Sequence, residues 1–164
     1  MRKAVFIITM LVVSLLVGVG LSSCKKECTF EADTISGEII KGSSVYPASG
    51  YTTQLLNGDY HVHQGHILMD TYKMSLNDGI TKTSVDYNQY SILGYPMNVH
   101  CHARYERSVT IDVVNQIATY KIRVYQCPES KSNCTELRTV ENFVLTTAIP
   151  ESYTILYDAE IIEE

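Results

Sequence analysis

Met97, Val99, Cys101, Ala103 and Tyr105 alternate with Asn98, His100, His102, Arg104 and Glu106. Side chains two apart on an extended chain share a face, so this alternation predicts a strand with one dry face and one wet face. The pattern recurs. Tyr120, Ile122 and Val124 alternate with Lys121, Arg123 and Tyr125. Val109, Ile111 and Val113 continue the inward phase after a tight turn expected near Arg107, and Asn115-Gln116 turns the chain again. No amphipathic run of helical period and 12 or more residues competes with these strands.

Earlier in the chain, Ile35, Ile39 and Ile40 mark a first strand, closed by Gly42-Ser43-Ser44 and Pro47. Tyr51–Leu56, Asn57-Gly58 and Asp59–His63 read as a hairpin, because Asn-Gly supplies the two positive φ angles of a type I′ turn. His66–Leu76 and Ile80–Val85 read as strands around the turn Asn77-Asp78-Gly79. Ser84–Leu93 fits strand or helix and stays open. Leu137–Thr147 and Tyr153–Ile162 supply the last strands. Neighbours in sequence are joined by short turns throughout. The expected class is therefore all-β: a single antiparallel meander domain, either a β-sandwich or an up-and-down β-barrel.

A different pattern precedes this domain. Arg2 and Lys3 are followed by an uncharged stretch from Ala4 to Gly20, then Leu21-Ser22-Ser23-Cys24. A basic start and an apolar body are the build of a secretory signal peptide. The four residues ending at Cys24 resemble the lipobox of bacterial lipoproteins. That resemblance covers residues 1–24 only. It implies a leader, 1–23, that is cut away, and a Cys24 thiol carrying diacylglycerol, with the new amine often acylated as well. Residues 24–33 then form a lipidated tether and 34–164 the all-β domain. At about 0.8 kcal/mol per buried methylene, two or three acyl chains hold a protein to a bilayer where one chain binds marginally. Lys25 rather than Asp follows the cysteine. In that family this implies the cell envelope, at the outer membrane or cell surface where the organism has two membranes.

Charge narrows the partners. Without the leader, 11 basic residues face 18 acidic ones, and none of the basic residues follows Arg138. Such a surface repels phosphate backbones, so nucleic acid is excluded as an expected partner. Beyond Cys24, four cysteines remain: Cys28, Cys101, Cys127 and Cys134. Cys127 and Cys134 bracket a short polar loop and are expected to pair most easily, which leaves Cys28 with Cys101.

The five histidines fall in two groups, His61, His63 and His66, and His100 with His102. Imidazoles two apart on a strand can converge on one zinc or copper ion. His66 joins His61 and His63 only if Gly65 sits in a bulge or Gln64-Gly65 turns. The competing account is a set of solvated strand histidines, with His100 and His102 opposite an apolar face. There is no nucleophile elbow, no His-Glu-x-x-His and no phosphate-cradling glycine loop. The expected function is therefore a non-enzymatic binding or assembly-support role. The alternative is a metal-binding lipoprotein.

Overall fold

The computed structural model describes residues 30–48, 60–100, 103–128 and 136–164. The Asn57-Gly58 turn, Cys24, Cys28, Cys101, His102 and Cys134 lie outside them. The chain is all-β. Its strands are β1 (Thr34–Gly37), β2 (Ser44–Pro47), β3 (Tyr60–Val62), β4 (Tyr72–Ser75), β5 (Thr83–Ser84), β6 (Tyr90–Gly94), β7 (Met97–His100), β8 (Ala103–Asp112), β9 (Ile117–Gln126), β10 (Leu137–Val140), β11 (Val144–Thr147) and β12 (Thr154–Glu163). A 3-10 turn, Met69–Thr71, precedes β4. Among the described residues there is no α-helix.

The hairpin of β8 and β9 is the backbone of the largest sheet. Ala118, Tyr120, Ile122 and Val124 point inward and are fully buried. The turn is fixed locally. The Asp112 carboxylate accepts the Asn115 backbone N–H at 3.0 Å and its side-chain amide at 2.7 Å, while Gln116 takes a φ of 53°. Those bonds hold the Asp112 carboxyl below its ordinary range and set the register at Asp112 opposite Ile117.

Strand direction departs from the expected meander. The sheet order is β1-β8-β9-β12, and β1 runs parallel to β8 as β12 does to β9. Parallel neighbours need a long crossover, and residues 127–153 supply one for β12. Hydrophobic period reveals which residues face inward but says nothing of strand polarity. The remaining pairs are antiparallel, in sheets ordered β11-β6-β3, β2-β4-β5 and β10-β7. Among the described residues no sheet closes into a barrel, and the strands form several separate sheets.

Two cores separate the layers. Leu93 and Val144 pack with Val109, Tyr120, Ile122 and Val124 of the large sheet. Ile92 and Leu145, their neighbours in sequence, pack with Tyr60, Val62, Tyr72, Met74 and Tyr87. The sheet β11-β6-β3 is thus dry on both faces, and its central strand is nearly continuous in apolar residues. Each such fully buried side chain contributes about 1.5–3 kcal/mol.

Several sequence expectations need correction. Arg107 marks no turn, since β8 runs unbroken through it. Its guanidinium sits on the inward phase because it donates to Asn142 Oδ1 at 3.0 and 3.3 Å, lies over the Tyr105 ring and faces Asp33 at 3.6 Å. Val113 is in the hairpin loop and 70% exposed. Met97–Glu106 is two strands in two sheets, and His100, expected on the wet face, is buried. Ser44–Pro47 forms β2 against β4 instead of ending a strand. Of Ile80–Val85 only Thr83–Ser84 pairs, leaving Ile80 solvated. Leu137–Thr147 divides at Asn142, whose φ is 49°. The open stretch resolves as a turn on Asp86, whose carboxylate accepts from Asn88 and Gln89, followed by β6.

Candidate functional site

β3 pairs with β6 so that His61 stands opposite Leu93. The two therefore share a face, the one turned toward the large sheet, and His63 continues that phase. Gly65, at a φ of +85°, then turns the chain back, with the His66 N–H donating to the His63 carbonyl at 3.1 Å. The turn brings three imidazoles together. Ring centroids are 4.9 Å apart for His61 and His63, and 5.4 Å for His63 and His66.

Hydrogen-bond partners fix the tautomers. The Ile149 carbonyl, 3.1 Å from His61 Nε2, can only accept, so Nε2 carries the proton and Nδ1 the lone pair. The Gln64 carbonyl, 2.9 Å from His63 Nδ1, likewise only accepts, so Nδ1 carries the ring proton and Nε2 the lone pair. His66 Nδ1 accepts the Leu68 N–H at 3.2 Å, which occupies its lone pair. Two ring lone pairs are left, on His61 and His63. Burial, then the neighbouring His63, pulls the His61 pKa down to about 4. The same causes in the same order lower that of His66, and Glu151 opposes the shift in both. At neutral pH these two imidazoles are uncharged, the form that ligates metals. Among the described residues, however, no group of three or more His, Cys, Asp or Glu is arranged to hold a metal ion.

Ile149 and Glu151 were not signalled by the sequence, since they reach the cluster from the loop before β12. Ser91 holds that loop in place: its hydroxyl donates to the Ile149 carbonyl at 3.3 Å and accepts the Ile149 N–H at 2.9 Å, with both residues buried. His100 sits on β7 opposite Leu137, in a different sheet, and its backbone N–H donates to Gln126 Oε1 at 3.3 Å. Among the described residues no ring contact links His100 to the other three. Cys127 follows β9 and is buried; its expected pairing with Cys134 lies outside the described residues.

The outer face of the large sheet holds the other polar cluster. Arg104 binds Glu106, which also accepts from the Tyr125 hydroxyl at 2.9 Å. Arg123 pairs with Asp158 at 2.9 Å and Glu160 at 3.2 Å. An open hollow of about 230 Å³ lies beside them, lined by Thr34, Ser36, Glu106, Ser108, Lys121 and Arg123. Ligand pockets are mostly apolar and enclose their guests. This hollow does neither. No known protein family, curated protein or solved structure matches the chain.

Proposed function

We propose that this is a lipid-anchored protein of the cell envelope with a binding or assembly-support role and no catalytic chemistry of its own. One observation carries the reading: Leu21-Ser22-Ser23-Cys24 at the end of an uncharged apolar leader. It is supported by how the polar clusters are used. Arg104 lies over the Tyr125 ring of β9, Arg123 pairs with Asp158 of β12, Arg107 bonds Asn142 in the link between β10 and β11, and Ser91 ties down a loop, so each of these groups holds the fold together. The anchor is tested by metabolic labelling with a clickable fatty acid. Incorporation is expected in the native chain and absent in Cys24→Ser; equal labelling of the two refutes the anchor.

A second reading, a zinc- or copper-binding lipoprotein, is favoured by the convergence of His61 and His63 with lone pairs on His61 Nδ1 and His63 Nε2. Metal analysis of untagged protein separates the two. Stoichiometric zinc or copper, lost when His61→Ala and His63→Ala are combined, selects the metal reading; metal-free protein after exposure to both ions selects the first.

A further inference from the structure

The two edges of the large sheet are built differently. β1, at one edge, is four residues long and ends at Gly37. β12, at the other, spans ten residues in unbroken register with β9, from Thr154 opposite Ile117 to Glu163 opposite Gln126. It contains no proline or glycine. Among the described residues no strand pairs with its outer side.

The backbone groups on that side can be assigned. In a parallel pair, alternate residues send both N–H and C=O to the same neighbour. The Thr154 N–H donates to the Gln116 carbonyl at 2.9 Å, and the Glu164 N–H to the Gln126 carbonyl at 3.1 Å. Even-numbered residues therefore bond to β9. The N–H and C=O groups of Ile155, Ala159, Ile161 and Glu163 point outward. Side chains follow the same alternation: Ile155 and Ala159 pack on the core, whereas Leu156, Asp158, Glu160 and Ile162 lie on the outer face. Leu156 is 48% exposed and Ile161 40%. Edge strands are ordinarily blunted by shortness, bulges, proline or lysine. β1 is short; β12 is long and regular, without proline, bulge or lysine, and its only guard is the negative charge of Asp158, Glu160 and Glu163.

We propose that β12 is a strand-addition site whose occupant is an extended basic segment of a partner protein. Charge selects the occupant. β12 carries Asp158, Glu160 and Glu163 and no basic residue, and the single Arg123 answers both Asp158 and Glu160. On the outer face the order is apolar, acidic, acidic, apolar (Leu156, Asp158, Glu160, Ile162). An added strand complements it with apolar, basic, basic, apolar side chains at every second position. That order reads the same in both directions, so it holds for parallel and antiparallel addition alike. A second copy of β12 is a poor occupant, because it sets Asp158 and Glu160 against like charges. This inference rests on the binding role but not on the lipid, so fatty-acid labelling and the peptide experiment fail independently.

The probes are two capped peptides, Val-Thr-Lys-Thr-Lys-Thr-Val and its counterpart with Glu for Lys, added to the purified full chain. Titration calorimetry is expected to show the lysine peptide binding at least about tenfold more tightly. Amide hydrogen exchange should slow at Ile155, Ala159, Ile161 and Glu163. Ala159→Pro removes an outward N–H and no bond to β9, so it should keep the fold and lose the peptide. Asp158→Asn with Glu160→Gln should abolish the preference for lysine, which keeps the test decisive if the proline variant misfolds. Binding of neither peptide, equal binding of both, or self-association of the chain through β12 overturns the proposal.

Discussion

The Arg107 guanidinium, on β8, donates two hydrogen bonds to one oxygen, the side-chain Oδ1 of Asn142 in the link between β10 and β11. Asn142 is 3% exposed and answers every group around it. Its amide donates to the carbonyls of Tyr95 at 3.1 Å and Val140 at 3.3 Å, and its own carbonyl accepts the Tyr120 hydroxyl at 2.6 Å.

Asn142→Ala should therefore destabilise the protein by about 2–4 kcal/mol. It strips partners from a largely buried guanidinium and places alanine at a positive φ. Asn142→Gly relieves only the backbone and should recover less than half. Urea midpoints of the two variants check this, and equal stability of Asn142→Ala and the native chain would contradict it.

Arg107 also marks where the sequence misled. A charge on an inward phase reads as a turn, because its partner is 35 residues away and invisible to local pattern. Ile117–Gln126 was legible because its alternation is complete and its turn is chemically marked by Asn115. The direction of β1 and β12 was not, as side-chain period is the same in parallel and antiparallel pairs. At the histidine cluster, the spacing of His61 and His63 and the option of a turn at Gly65 could be read. Ile149, which selects the His61 tautomer, lies 88 residues away and could not.

His61 sets a pH dependence. Above about pH 6.5, the ordinary imidazole value, it is neutral folded and unfolded. Below that the unfolded chain takes up a proton that the folded chain refuses until about pH 4. Stability from this group is intact above pH 6.5 and declines toward pH 4, by about 1–2 kcal/mol once solvent screening is allowed for. His61→Gln should be less stable at pH 7 and have a shallower acid slope. Parallel slopes in the two proteins from pH 7.5 to 4.5 would exclude His61 as the source.

Gly37 closes β1 at a φ of +70°, and a Cβ there would collide with the backbone carbonyl of Val109. That carbonyl is held by the Glu38 N–H at 2.9 Å and cannot retreat. Gly37→Ala should cost roughly 2–3 kcal/mol and lower Tm by roughly 5–12 °C. A calorimetric scan within 2 °C of the native value, roughly the error of such a comparison, would show the strand end free to rearrange.

Asp112→Ala removes both bonds that shape the β8–β9 turn, and it should lower the urea midpoint. Exchange should quicken first at Asn115 and its neighbours, with β9 beyond Tyr120 unaffected. Uniform acceleration along β9 would mean the turn nucleates the whole hairpin.

Because β1 runs alongside β8 in the same direction, the chain enters the large sheet beside Glu106 and heads toward the loop bearing Val113 and Val114. Those two valines, 70% and 91% exposed, crown the end farthest from the point of entry. The lipid proposed at Cys24 would therefore attach on the side of the strand start at Thr34, leaving the two valines at the opposite end of the sheet.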